Sequence, residues 1–183
     1  MRVFTGIPLP GPILEIVQGR CRSSDPFNGS VRWVDLHTVH LTLHFFPSLN
    51  EVRVDELSRI TRTLLSDVPS FELQLGQPGF FPSLEYPRIF WWGIEGSDDL
   101  TRLHSRLSAV YQENGYVLED RPFKPHFTLG RFGDAPVPAF DLDRIEKYWA
   151  LQGRDVPVNK IRLFRSPAGP EGYPAIHDFP LQS

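Results

Sequence analysis

The stretch Val39-His40-Leu41-Thr42-Leu43-His44-Phe45-Phe46 decides how this chain is read. Polar His40, Thr42 and His44 alternate with apolar Leu41, Leu43 and Phe45, the period of a strand with one buried face, and Pro47 ends the run. Residues i and i+2 share a face of a strand, so an imidazole and a hydroxyl stand side by side while Leu41 and Leu43 point to the core. The pattern returns at His126-Phe127-Thr128-Leu129. One such tetrapeptide is an ordinary wet strand face; two at matching places are a stronger signal.

Outward from the two tetrapeptides the elements nearly repeat. Arg2 to Ile7 reads as a strand, and Gly11-Pro12 opens a helix to about Arg22, since proline is tolerated in a first turn. A short strand follows at Val31 to Val34. After Pro47, Asn50 caps a helix to about Asp67 carried by Val54, Leu57, Ile60, Leu64 and Val68. Phe71, Leu73 and Leu75 alternate as a strand, and Arg88 to Ile94 is a second one. Ser97 caps the next helix. Asp98 and Asp99 suit its positive end, Leu100, Leu103, Leu107 and Val110 form its buried stripe, and Gly115 stops it. Phe127 to Phe132 is again a strand, Asp141 to Leu151 a short helix, and Val156 to Phe164 and Tyr173 to Leu181 are closing strands joined through the Gly/Pro-rich Pro167 to Gly172. The expectation is an α+β fold: two pseudo-symmetric lobes of antiparallel sheet with outer helices, intertwined in a single domain over residues 1–183, around a central cleft carrying both His-x-Thr-x motifs.

Composition narrows the classes. The chain has 183 residues, 40% hydrophobic and 22% charged, enough for a packed core and unlike a disordered segment. A net charge of −3 argues against a basic surface that coats a long duplex, though not against a local phosphate pocket. The lone Cys21 permits no intrachain disulfide, no stretch approaches the ~20 apolar residues of a membrane span, and Met1 to Pro8 lacks the apolar run of a signal peptide. A cytoplasmic monomer is expected, with no membrane partner.

Two histidines facing one cleft match a definite chemistry. Opening a cyclic phosphodiester needs a base to activate water and an acid to protonate the departing alkoxide, and histidine serves either way near neutral pH. Threonine hydroxyls can hydrogen-bond the non-bridging oxygens as charge develops. No metal or cofactor is required.

These residues resemble the two-histidine (2H) phosphoesterases, in particular the RNA 2′,3′-cyclic phosphodiesterases once described as 2′-5′ RNA ligases. The likeness spans Val3-Phe4-Thr5-Gly6-Ile7-Pro8-Leu9-Pro10, Leu36-His37-Thr38-Val39-His40-Leu41-Thr42-Leu43 and Arg121-Pro122-Phe123-Lys124-Pro125-His126-Phe127-Thr128-Leu129. It implies that His40 donates the proton to the leaving 3′ oxygen, that His126 accepts the proton of the attacking water, and that the product is a 2′-phosphomonoester. It also implies that Thr42, Thr128 and Arg131 bind the phosphate. Strict alternation puts Arg131 on the face opposite His126 and Thr128, so this role requires a bulge or bend, which Gly130 permits. His44 departs from the family pattern and is expected to line the cleft and perturb His40.

Other readings stand beside these. His37, His40 and His44 cluster in sequence, but four strand residues at ~3.3 Å each set His40 and His44 ~13 Å apart, too far to share an ion. His37 reads as a turn residue, His104 as a surface position, His177 as a strand residue without chemistry, and Lys124 as a solvated lysine. Phe80, Phe81, Tyr86, Trp91 and Trp92 read mostly as core, with one free to stack on a base. The partner is then an RNA ending in a 2′,3′-cyclic phosphate. The alternatives are a small cyclic nucleotide or ADP-ribose cyclic phosphate, or an RNA-end binding module without turnover. No phosphate-binding Gly-x-x-x-x-Gly-Lys-[Ser/Thr] loop is present, which favours hydrolysis over ligation.

Overall fold

The computed structural model describes residues 1–23, 26–133, 143, 145, 153–166 and 173–183. In chain order its elements are β1 (Arg2–Pro8), α1 (Gly11–Ser23), β2 (Val31–Trp33), a 3₁₀ turn (Leu36–Thr38), β3 (His40–Phe46), α2 (Glu51–Leu65), β4 (Phe71–Pro82), β5 (Pro87–Ile94), α3 (Asp98–Glu113), β6 (His126–Phe132), β7 (Asp155–Val158), β8 (Lys160–Ser166) and β9 (Ala175–Pro180). The helix read at Asp141 to Leu151 and the connection at Pro167 to Gly172 fall largely or wholly outside the described residues.

Local chemistry sets the helix ends. Asn50 Oδ1 accepts the Arg53 amide at 2.9 Å, and Ser97 Oγ accepts that of Leu100 at 3.2 Å, each satisfying an amide the first turn leaves open. Past α3, Gly115 takes φ +74°, a left-handed stop glycine allows at little cost. On α3 the buried stripe is Leu100, Leu103, Leu107 and Tyr111; Val110, expected in it, is only half-buried.

The strands form one antiparallel sheet in the order β7-β4-β5-β6-β3-β1-β8-β9, with β2 added to β6. The sheet divides naturally between β6 and β3, which pair only at Leu41↔Phe127. On one side lie β3-β1-β8-β9 and on the other β6-β5-β4-β7, two four-stranded halves with one histidine motif each on the inner strand. Each half takes an edge strand from the chain's C-terminal part, so the halves are interwoven, and Ser70 N–H bonds Gln182 carbonyl at 2.7 Å across that weave. The expected single strand over Val156 to Phe164 is two strands. Asn159 interrupts it, sending β7 to β4 and β8 to β1, at opposite flanks of the sheet.

Helices cover the outer face of the first half: α2 packs on β9, and α3 meets β3 where Phe46 contacts Tyr111. Leu41 and Phe127 are fully buried where the halves join, each contributing roughly 1.5–3 kcal/mol by leaving water.

The two motif strands are not regular. Against β1, Thr5 pairs with His44 but Gly6 pairs with Thr42, so Leu43 is an extra residue on β3. Against β5, Phe90 pairs with Gly130 but Trp91 pairs with Thr128, so Leu129 is an extra residue on β6. A bulge thus sits on the fourth residue of each tetrapeptide and reverses the alternation beyond it.

Candidate active site

The inner face of the sheet holds a cleft of about 500 Å³ lined by His40, Thr42, His126, Thr128 and Arg131, together with Phe4, Arg32, Asp35, Phe45 and Tyr173. All five candidate site residues therefore meet in one place. Residues 40–42 and 126–128 alternate regularly before each bulge, and the antiparallel Leu41↔Phe127 pair turns His40 toward Thr128 and Thr42 toward His126.

The bulges decide what comes next on each strand. Leu129 takes up one residue, so Gly130 and Arg131 swap faces and Arg131 enters the cleft, against strict alternation. Gly130 permits this by lacking a side chain: a Cβ there would lie 2.3 Å from Val31 Cγ1, because the Val31 side chain of the neighbouring strand β2 covers this position. The corresponding bulge at Leu43 turns Phe45 into the cleft and His44 out of it. His44 is 6% exposed, stacks on His104 at 4.4 Å and places Nε2 2.8 Å from Ser108 Oγ. It belongs to the interface with α3, not to the cleft. His104, expected on the surface, lies between His44 and Phe123, whose ring centre is 3.9 Å away. Ser108 donates its single hydroxyl proton to the His104 carbonyl at 2.8 Å, so it accepts from Nε2–H of a neutral His44. Burial, then proximity to His104, pushes the His44 pKa down to about 3.

Both cleft histidines are held alike. His40 Nδ1 lies 2.6 Å from the Thr38 carbonyl and His126 Nδ1 2.7 Å from the Lys124 carbonyl, in each case the residue two before it. A carbonyl only accepts, so Nδ1 carries the proton and Nε2 is left to the cleft. Their surroundings differ in degree. His40 stacks on Phe4 at 4.5 Å and lies against Phe164 at 5.2 Å and Tyr173 at 5.3 Å. His126 has Phe81 at 5.0 Å and Trp91 at 5.9 Å. Burial pushes His40 down to about 4 against the supporting Thr38 carbonyl, with His126 and Arg131 adding repulsion. Burial also lowers His126, which its Lys124 carbonyl partly offsets. Both imidazoles are thus neutral in the free protein near pH 7, while Arg32 and Arg131 face one carboxylate, Asp35. The cleft is set to receive an anion.

His37 is exposed on the 3₁₀ turn and His177 half-buried on β9. With His44 behind the sheet, the three clustered histidines point to three environments. Lys124 is exposed and serves through its carbonyl. Of the five aromatics singled out, Phe81 and Trp91 flank His126, Phe80 packs against Phe27 and Phe90, Trp92 is fully buried, and Tyr86 stands exposed in the β4–β5 turn. Phe4, Arg32, Phe45, Phe164 and Tyr173 are not legible as site residues in the sequence; only Phe4 lies in a stretch carrying the resemblance. No helix among the described residues is long and apolar enough to cross a membrane.

The family model of the 2′-5′ RNA ligase superfamily matches residues 14–170. This chain belongs to that superfamily. An RNA 2′,3′-cyclic phosphodiesterase of Archaeoglobus fulgidus is 29% identical over 174 residues, covering 94% of each chain. One of Thermotoga maritima is 29% identical over 145 residues, covering 76% of this chain and 73% of its own. The crystal structure of a Thermus thermophilus protein superimposes with a TM-score of 0.82 at 28% identity, covering 100% of this chain and 99% of that one. The curled, mostly antiparallel sheet with its helices is thus the superfamily's fold.

Proposed function

We propose that this chain hydrolyses RNA 2′,3′-cyclic phosphate ends to 2′-phosphomonoesters by metal-independent acid–base catalysis, working as one domain of two interwoven halves. The observation that carries the reading is the pair of histidines. Each is fixed through Nδ1 by the carbonyl two residues before it, with Nε2 left for a shared cleft that also contains Thr42, Thr128 and Arg131. The names of the relatives support the same activity.

In the proposed reaction, water attacks phosphorus while His126 Nε2 takes its proton. The bond from phosphorus to O3′ breaks, and His40 Nε2–H supplies the proton that O3′ needs. The phosphate stays on O2′, and the next turnover begins once His126 passes its proton to solvent and His40 regains one. Thr42 and Thr128 donate hydroxyl hydrogen bonds to the non-bridging oxygens, and Arg131 balances the charge that gathers there.

His40 must be protonated to serve as acid, yet burial keeps it neutral in the free protein. The substrate resolves this. A phosphate anion beside the ring favours the imidazolium, opposing both the burial and the repulsion from Arg131. The proton is therefore taken up with the substrate.

The test uses an RNA oligonucleotide ending in a 2′,3′-cyclic phosphate, with EDTA present and 2′- and 3′-phosphate products resolved. The expected product is the 2′-phosphate, with kcat lowered roughly 10²–10⁴-fold by His40→Ala and by His126→Ala. A 3′-phosphate product, or full turnover by either variant, would overturn the mechanism.

A further inference from the structure

A second cavity of about 530 Å³ lies beside the cleft, on the other side of residues 37–40. Thr38 and His40 line the cleft, while His37 and Val39 line this neighbour, whose far wall includes Lys160 and Arg162 of β8. The register explains how two cations come to this place. Phe4 pairs with Phe164 and Gly6 with Arg162, and Phe4 faces the cleft. Residues two apart on a strand share a face, so Phe164, Arg162 and Lys160 all project from the face that carries His40. The Arg162 guanidinium lies 5.6 Å from the centre of the Phe164 ring, which itself packs on His40.

These cations are held in place. Arg162 Nη2 donates to Asp178 Oδ2 at 2.8 Å and Nε to Oδ1 at 2.5 Å, while Lys160 Nζ donates to Oδ2 at 2.9 Å. Two cations share one carboxylate, which leaves a net positive charge. Arg162, then Lys160, holds the Asp178 carboxyl down to about 2, so the carboxylate keeps its charge through the neutral range. As a purely structural tie, one cation would satisfy Asp178. The second, partly exposed toward a cavity, is available to another anion.

β8 lies two strands from β3, roughly 10 Å at the usual strand spacing. One nucleotide and a long side chain cover that span. We infer that the Lys160–Arg162 cavity binds the backbone phosphate preceding the cyclic phosphate end, so that the preferred substrate is an RNA chain and not a free cyclic nucleotide. The inference rests on the proposed reaction at His40 and His126 and adds to it a second phosphate subsite at Lys160 and Arg162.

The test compares kcat/KM for a short RNA ending in a 2′,3′-cyclic phosphate with kcat/KM for a nucleoside 2′,3′-cyclic phosphate, which has no second phosphate. Lys160→Gln combined with Arg162→Gln is expected to lower the RNA-to-nucleoside ratio about tenfold. It should also flatten the salt dependence of the RNA reaction, by about 0.7 in the log–log slope for each phosphate no longer neutralised. Asp178→Asn, which keeps both cations, is expected to retain the preference for the chain. A ratio unchanged in the double variant overturns the inference, as does an equal fall in Asp178→Asn, which would mark the cluster as a strand tie. Wild-type protein inactive on both substrates would instead overturn the proposed reaction.

Discussion

The two motif strands, β3 and β6, share a backbone design and differ in what that backbone presents. Each has a histidine bonded to the carbonyl two residues back, a threonine beside it, and a bulge at the fourth residue. Each bulge returns the sixth residue to the cleft, as Phe45 on one strand and Arg131 on the other. The residue turned outward is His44 on β3, where α3 receives it, and Gly130 on β6, where β2 leaves no room for a side chain. Duplicated geometry supplies the paired imidazoles. Divergent side chains at equivalent places give one wall an aromatic surface and the other a cation. A phosphate carrying a sugar and a base has unlike ends, and a cleft with unlike walls can fix its orientation.

The largest effect that would test this comparison is at those equivalent positions. Arg131→Met is expected to lower kcat/KM on a cyclic phosphate about 10²-fold, the scale of removing a charge-assisted hydrogen bond to developing charge. Phe45→Leu is expected to lower it only about fivefold, through the missing flat surface. Equal losses would break the proposed division between the walls.

The next effect concerns the outward residues. His44 binds a proton readily when unfolded but only near pH 3 when folded, so its contribution to stability is full above about pH 6.5 and is lost as pH falls. Between pH 7.5 and 5 this one group accounts for about 2 kcal/mol of lost stability. His44→Leu is expected to remove that part of the acid sensitivity in urea unfolding at the two pH values, whereas Gly130 has no counterpart to titrate. An unchanged pH dependence in the variant would place the titrating group elsewhere.

The smallest effect separates the two cleft histidines from their ordinary values. Burial lowers both in the free protein, so both limbs of the kcat/KM profile are expected below pH 6.5. The limbs of kcat, which report the occupied cleft, are expected at higher pH than those of kcat/KM, because the phosphate anion favours the imidazolium. An alkaline limb of kcat/KM at or above pH 7 would show that the free protein keeps its acid protonated.

Much of this site can be read from particular residues. His40, Thr42, His126 and Thr128 are legible because period 2 alone places them, and both caps, Asn50 and Ser97, act as their side-chain chemistry dictates. The same period carried one residue too far misplaces His44. Resemblance assigns Arg131 against the alternation, and the bulge explains why that assignment fits the geometry. Nothing in the local pattern distinguishes Leu43 or Leu129 as the extra residue: each is a buried leucine, and the shift is visible only against the partner strand. Phe4, Phe164 and Tyr173 stay hidden for the same reason, since nothing local records that β1 lies between β3 and β8.

By itself, then, the sequence determined the α+β class, the helix ends and the two histidine–threonine pairs, because capping and alternation act over a few residues. Tertiary structure alone decided the order of the strands, the transfer of β7 and β8 to opposite flanks, the placing of Arg131 and Phe45 in the cleft and of His44 behind it, and the gathering of Lys160 and Arg162 on Asp178. Those outcomes depend on which strand lies beside which, and that is fixed by burying both sheet halves at once.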